Sequence, residues 1–238
     1  MIPADLLARY GLPEDEAARV VEDALSRVLS GAFGREIVAR VGRTVEVFPV
    51  SRDQEATISL EGISKQLRRQ IRYQIERGLE YRQAVRERDC LRALQGQVIP
   101  GEVARLTADG GLLVKIEVPD HFRRLVATGI CPVRGLPPHE RDEIRAGRVA
   151  FFHVTSVVLD RQGHTPKVRV NLSRSSRALP VLLLREETGE ASLRCRRRIA
   201  GAFSEIETAK PLPKTAILAV GKELRERIII RVLDQKAS

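Results

Sequence analysis

The sequence predicts an α+β protein of several domains. An N-terminal unit with a helix, a hairpin and a long connector helix precedes a central five-stranded β-barrel and a small C-terminal α/β unit. Glycine-punctuated segments of alternating apolar residues run from Gly96 to Arg174, and glycine permits the bulges and tight turns that close a small barrel. Helical apolar stripes precede this stretch, and a β-β-α-β pattern follows it. The 238 residues are enough for two or three small domains.

The first unit, residues 1–94, is predicted to begin with a helix and a β-hairpin. Carboxylates after Pro13 favour the positive end of a helix, and apolar residues then recur at helical spacing from Ala17 to Leu29. Gly31 is the expected end of this helix, which also accounts for the GxxG sequence at Gly31–Gly34. Apolar and polar residues alternate over residues 37–49, as is typical of a hairpin.

A long helix is expected from about Leu60 to Leu94 as a connector between domains. Isoleucine or leucine recurs every four residues from Ile63 to Ile75, and arginines occupy the other faces. These arginines either form a solvated face on an ordinary packed helix or contact phosphates directly.

The barrel is predicted over residues 95–174, with a loop and a short helix between residues 134 and 148. The third unit, residues 175–238, is predicted as a helix, a pair of strands bent at Gly201, a helix from Pro213 and a strong β-run at Ile228–Val232. This order predicts a small sheet that is covered by a helix.

The charge of the chain favours a polyanionic partner. The formal net charge is +10, yet the first 60 residues hold seven Lys and Arg against ten Asp and Glu. All of the positive excess therefore lies beyond residue 60. We expect an acidic end and a basic remainder.

Enzyme chemistry, metal sites and membrane spans are not predicted. Cys90, Cys131 and Cys195 form no CxxC pair, which argues against zinc or a disulfide framework and for a reducing compartment. Cys131 is predicted to be a small buried hydrophobe. The four histidines lack metal-ligand spacing, and there is no P-loop or nucleophile elbow, so we expect no catalytic residue and no cofactor. Without an apolar run of about 18 residues or a signal peptide, a cytoplasmic protein is expected.

Four motifs in the barrel segment carry a resemblance. They are G-x-V-I-x-G-x-V at Gly96–Val103, D-G-G-L-L-V at Asp109–Val114, R-A-G-R-V at Arg145–Val149 and L-S-R at Leu172–Arg174. In these motifs the segment resembles the S1-type RNA-binding domain, a variety of OB-fold. The order of units along the chain is similar to that of the NusA family of bacterial transcription termination and antitermination factors.

The resemblance implies a non-enzymatic factor that docks on RNA polymerase through residues 1–94 and contacts nascent RNA through the barrel and a KH-like C-terminal unit. Two departures from the family pattern weaken the expected RNA binding. Residues 175–238 lack the GxxG loop with which KH domains clamp the nucleic-acid backbone. Leu113 stands where S1-type domains usually place a stacking aromatic, and stacking contributes about 1–3 kcal/mol per base. Weak, salt-sensitive binding of single-stranded RNA is therefore expected.

The candidate RNA-binding residues come from one strand of the C-terminal unit and from the barrel. Arg194, Arg196 and Arg198 alternate, so in a regular strand they project from one face, either to follow phosphates or to keep an exposed edge soluble. In the barrel, Phe152 is assigned to the core, so Phe151 and His153 are expected on the surface. The full candidate set is Arg194, Arg196, Arg198, Phe151, His153, Arg123, Arg124, Arg134 and Arg174.

Two other functions remain open at this stage. A ribosome-associated or translation-related factor could use the same barrel. A protein-interaction adaptor whose barrel no longer binds RNA is compatible with Leu113 and with the missing GxxG loop.

Overall fold

A computed structural model describes residues 9–42, 45–50, 62–119, 124–160 and 165–233 of the chain. Over those residues the chain is α+β, with five α-helices. It divides into two compact units. The first comprises Met1–Arg88 and Leu159–Val168, and the second comprises Asp89–Val158 and Arg169–Ser238.

The first unit is built from two helices and a hairpin, as the sequence predicted. These elements are α1 (Glu14–Phe33), β1 (Ile37–Val41), β2 (Val45–Pro49) and α2 (Lys65–Leu91). The apolar stripe of α1 packs with β1, β2 and residues of α2 such as Ile75 and Leu79 in one core cluster. Gly31 lies inside α1, so its prediction as the helix end is wrong. The helix ends at Gly34, whose φ of 64° is left-handed.

Side chains of α1 close the outer edge of β1. They are spaced one helical turn apart and accept hydrogen bonds from alternate backbone N–H groups of the strand. The three bonds join Ile37 to Ser30 (2.9 Å), Ala39 to Ser26 (2.9 Å) and Val41 to Glu22 (2.8 Å). This edge therefore has no N–H groups left at those positions for another strand.

The second unit begins with a closed barrel of five strands, which confirms that expectation. Its strands are β3 (Val98–Leu106), β4 (Leu112–Pro119), β5 (Arg124–Cys131), β6 (Val149–Asp160) and β7 (Lys167–Ser173), in the spatial order β3-β4-β5-β7-β6. The β5–β7 pairing is parallel, whereas β3–β4, β4–β5 and β3–β6 are antiparallel. The predicted short helix between strands is α3 (Pro138–Glu143).

Aliphatic residues fill the described part of the barrel around the buried ring of Phe152. Phe152 is fully buried, as predicted from the alternation of its strand. Its neighbours in the interior include Val103, Leu112, Val114, Ile116, Val154, Val170 and Leu172.

The rest of the second unit is a three-stranded sheet with helices on one face. Its elements are α4 (Ala178–Thr188), β8 (Arg194–Ile199), β9 (Phe203–Thr208), α5 (Lys214–Leu224) and β10 (Arg227–Val232). The sheet order is β10-β9-β8, with β8 antiparallel and β10 parallel to β9. Val98 and Phe151 of the barrel pack into the core between the helices and the sheet, so barrel and sheet are joined by apolar contact. No described helix combines the length and the apolar character that a membrane crossing needs.

Candidate nucleic-acid interface

The predicted row of arginines on β8 is interrupted by a β-bulge. Arg194 lies opposite Glu207 and Arg197 lies opposite Glu205, with a register shift between Cys195 and Arg197. Because the bulge inserts one extra residue, Arg198 turns to the covered face of the sheet. The prediction that Arg194, Arg196 and Arg198 share a face is therefore wrong for Arg198.

Arg198 is a structural residue inside the second unit. Its side chain is 1% exposed, and its Nη2 donates to Oε1 of the fully buried Glu226 at 2.7 Å. The same nitrogen donates to the backbone oxygen of Arg174 at 2.7 Å. Glu226 also accepts hydrogen bonds from the Gly201 N–H and the Ser204 hydroxyl. A phosphate group would have to displace these partners, so Arg198 is removed from the RNA-binding set.

The outer face of the three-stranded sheet nevertheless presents five exposed arginines, which we call the arginine face. They are Arg194, Arg196 and Arg197 on β8 and Arg227 and Arg231 on β10. Glu205 and Glu207 lie between them on β9, which leaves a local excess of three positive charges.

Two ion pairs on the arginine face are long, and their arginines are exposed. Arg196 lies 3.7 Å from Glu207, and Arg231 lies 3.4 Å from Glu205. The Arg197 guanidinium lies over the ring of Phe203, 5.5 Å from its centroid. Exposed pairs of this kind contribute only about 0–1 kcal/mol, so these arginines can exchange their partners for phosphates at little cost.

Arg174, a further candidate, is buried in a network of carboxylates. Its Nε and Nη2 each donate to Glu140 at 2.6 Å, and its Nη1 donates to Glu223 at 2.9 Å. The Arg174 and Glu140 side chains are 1% and 0% exposed. Burial by itself would lower the pKa of the guanidinium, but the bonds to Glu140 and Glu223 raise it further than burial lowers it. Arg174 is thus a permanent buried cation, and its assignment to RNA contact is corrected.

A polar cleft of about 600 Å³ opens on the barrel between β5, β6 and β7, and we call it the barrel cleft. It is lined by Asp109, Ile130, Pro132, Arg134, Gly135, Thr155, Ser156, Arg169, Asn171, Leu172, Ser173 and Ser175. Arg134 is exposed at this cleft, as expected for a phosphate contact. Asn171 donates from Nδ2 to the Ser156 hydroxyl at 2.8 Å, which leaves its Oδ1 as an acceptor. A hydrogen bond from Thr107 lowers the pKa of Asp109, so the rim also carries a carboxylate.

Sequence reasoning missed Arg169 and Asn171. The two residues alternate with Val170 and Leu172, which are buried in the barrel interior. This period of two was visible in the sequence and would have placed both side chains outside the barrel.

Phe151 and His153 are less available for RNA contact than the sequence predicted. Phe151 is half-buried against the core of the C-terminal sheet, and its N–H donates to Glu223 at 3.1 Å. His153 is half-buried, and its buried Nδ1 has no hydrogen-bond partner within the described part of the chain. Burial lowers the pKa of His153, so the ring is neutral at neutral pH and cannot pair with a phosphate as a cation.

Two candidate residues cannot be placed in this site. Arg123 lies outside the described residues. The backbone of Arg124 opens β5, but its side chain is likewise outside the described part of the structure.

Potential metal ligands do not form a metal site in the ranges that the structure covers, and the buried thiol of Cys131 is unreactive. No group of three or more His, Cys, Asp or Glu residues there could hold a metal ion. Cys131 is fully buried, as predicted, and burial raises the pKa of its thiol to about 12. The thiol is therefore protonated and behaves as a small hydrophobe.

No protein-family model matches the chain, and no curated protein matches its sequence. What the chain binds is therefore inferred from the charge and geometry of the arginine face and the barrel cleft, together with the motifs of the barrel.

Proposed function

We propose that this chain is a non-enzymatic RNA-binding factor that contacts single-stranded RNA mainly through its phosphates. The observation that carries the proposal is the arginine face, where five exposed arginines, two of them in weak ion pairs, lie on one side of a three-stranded sheet. Affinity for single strands without an aromatic platform comes from such charge and depends strongly on salt.

The barrel cleft supports the same proposal with a second type of contact. Arg134 supplies a cation, while Asn171 and Ser156 supply donors and acceptors beside the apolar side chain of Ile130. Such a mixture suits one unstacked nucleotide, whose base has a flat apolar face and a polar edge. In this proposal the cleft orients the strand and the arginine face supplies most of the affinity.

The strand order supports the finer assignment of the barrel as an OB-fold of the S1 type. Numbered from β3, the closed order is 1-2-3-5-4, and the third and fifth strands run parallel. This is the connectivity of a five-stranded Greek-key barrel that binds oligonucleotides. The sheet that follows would then be the KH-like unit, which lacks GxxG and carries the arginine face instead.

The resemblance to the NusA family extends the proposal to transcription. The first unit would dock on RNA polymerase, and the second unit would guide the emerging transcript. The acidic balance of residues 1–60 supports this division, because an acidic surface repels RNA but can bind a protein.

The test is the salt dependence of RNA affinity, measured by fluorescence anisotropy with a labelled single-stranded RNA. We expect micromolar binding at about 50 mM salt that weakens steeply toward about 200 mM, since each phosphate contact contributes about −0.7 to the slope of log affinity against log salt. The double variant Arg194→Gln/Arg197→Gln should reduce the steepness by about 1.4.

The matched control removes two positive charges from the covered side of the sheet. Lys214 and Lys222 are exposed on α5, and the buried side of that helix packs against the sheet from the face opposite the arginines. Lys214→Gln/Lys222→Gln should leave the salt slope unchanged. An equal effect of both double variants would mean that net charge alone sets the affinity, and salt-independent binding would contradict the proposal.

A further inference from the structure

In the part of the chain that the structure describes, the edge strand β10 carries a row of backbone N–H and C=O groups that no other strand pairs with. The N–H of Arg227 donates to Ala202 at 3.0 Å, and the N–H of Leu233 donates to Thr208 at 2.8 Å. Because the direction of these groups alternates along a strand, residues 227, 229, 231 and 233 bond toward β9. The N–H and C=O groups of Ile228, Ile230 and Val232 therefore point away from the sheet. Within the described ranges, β10 pairs with no strand except β9.

The opposite edge of the same sheet is closed. Arg177 donates from Nη2 to the backbone oxygens of Cys195 and Arg196, the former at 3.2 Å, and Arg185 donates to Leu193 at 3.0 Å. The β-bulge of β8 further disrupts that edge. In contrast, β10 keeps a regular register with β9 over all six residues and contains neither a proline nor a bulge. One edge is thus protected against strand addition and the other is not.

The side chains of β10 define what a strand added to this edge would need. Arg227 and Arg231 project from the outer face of the sheet. Ile228 and Ile230 are half-buried on the covered face, where they pack against the core, and Val232 is 45% exposed. Cross-strand neighbours on the same face interact, so the matching strand presents carboxylates on one face and apolar side chains on the other.

We propose that β10 binds an extended segment of a partner protein in which apolar and acidic residues alternate. Main-chain hydrogen bonds to Ile228, Ile230 and Val232 would supply affinity, and Arg227 and Arg231 would select the acidic face. A second copy of this chain fits poorly, because pairing two β10 strands brings arginines of both copies onto the same face. RNA fits poorly as well, because its backbone has no alternating N–H and C=O groups.

The probe for this proposal is a fluorescein-labelled peptide of about ten residues in which valine and glutamate alternate. Binding to the full chain is followed by fluorescence anisotropy. We expect saturable binding, with roughly tenfold or more weaker binding of the peptide that alternates valine and lysine. Only every second residue of the bound peptide faces β10 with its N–H and C=O groups. Backbone N-methylation of that set of residues should therefore weaken peptide binding, whereas N-methylation of the other set should have little effect on it.

Two variants of the chain locate the site. Ile230→Pro removes an N–H that points away from β9, so it should block the edge and reduce peptide affinity by roughly tenfold or more. Arg231→Glu, which leaves the backbone intact, should reverse the preference toward the valine–lysine peptide. The control Lys222→Glu makes the same change in charge on α5 and should keep the affinity for the valine–glutamate peptide within roughly twofold.

Several results would overturn the proposal. They are equal binding of both N-methylated peptides, unchanged charge preference in Arg231→Glu, or absence of peptide binding to the folded chain. If Ile230→Pro instead abolishes a concentration-dependent dimer in sedimentation experiments, the occupant is a second copy. If it leaves peptide binding intact and lowers RNA affinity, the edge belongs to the RNA surface.

Discussion

Arg174 and Arg198 lie inside the second unit, and each is paired with a carboxylate that is itself buried. The two residues are linked, because Arg198 donates to the backbone oxygen of Arg174. A buried carboxylate without a cation has a large desolvation penalty, so we expect Arg174 and Arg198 to stabilise the fold by pairing with Glu140 and Glu226. Two of the arginines expected to bind RNA therefore stabilise the fold instead.

Replacing Arg174 should destabilise the protein. Arg174→Met leaves Glu140 buried without its bidentate partner, and breaking a buried pair in this way costs about 3–5 kcal/mol of unfolding free energy. Urea unfolding followed by circular dichroism measures this loss. The double variant Arg174→Met/Glu140→Leu removes the unpaired charge and should regain most of the stability. If Arg174→Met loses almost no unfolding free energy but binds RNA more weakly, Arg174 belongs to the RNA-binding surface instead.

At the scale of elements, the turn between β8 and β9 packs against the N-terminal end of α3. A Cβ atom on Gly201 would collide with Nδ1 of His139 and would lie 2.6 Å from its Cε1. The φ of Gly201 is also left-handed, at 85°. This contact joins the C-terminal sheet to the barrel within the second unit, near the buried pair of Arg198 and Glu226.

Gly201→Ala should therefore destabilise the second unit more than a matched glycine change. Gly147 has nearly the same φ, 84°, but a Cβ there meets no atom within 4 Å. Gly147→Ala thus measures the backbone strain alone, and the extra loss in Gly201→Ala, about 1–3 kcal/mol, measures the collision. Adding His139→Ala to Gly201→Ala should recover part of that difference in urea unfolding. Equal losses for the two alanine variants would show that the turn moves aside freely.

At the scale of the whole molecule, charge is unevenly distributed along the chain. The acidic excess belongs to residues 1–60, whereas the arginine face and the barrel cleft belong to the second unit. In the proposed function, protein docking and RNA contact are therefore separable. An adaptor would make the protein contact without the RNA contact. A ribosome-associated factor would use the same barrel but would bind ribosomes in place of RNA polymerase.

Affinity purification of the full chain from native lysate separates these functions. We expect RNA polymerase to co-purify and to remain bound after RNase treatment, because docking through the first unit does not need RNA. The variant Arg194→Gln/Arg197→Gln should retain polymerase but bind less RNA, since only the arginine face is changed. Ribosomes in place of polymerase would favour the translation-related function, and polymerase binding without any RNA binding would favour the adaptor.

The sequence by itself determined most of the elements and the burial of Phe152 and Cys131. Helical stripes predicted α1 and α2, alternation predicted the hairpin and the burial of Phe152, and glycine punctuation predicted the five strands. These features depend on the periodicity of neighbouring residues, which a sequence displays directly. The same periodicity places Arg169 and Asn171 on the outside of β7, between the buried Val170 and Leu172.

Only the tertiary structure decided which arginines can reach a ligand. Arg198 has the same local pattern as Arg194, yet a bulge turns it toward Glu226, which is 28 residues away in the chain. Arg174 meets Glu140 across 34 residues. Whether an arginine is buried depends on such distant carboxylates, and nothing in the local alternation of residues encodes their position.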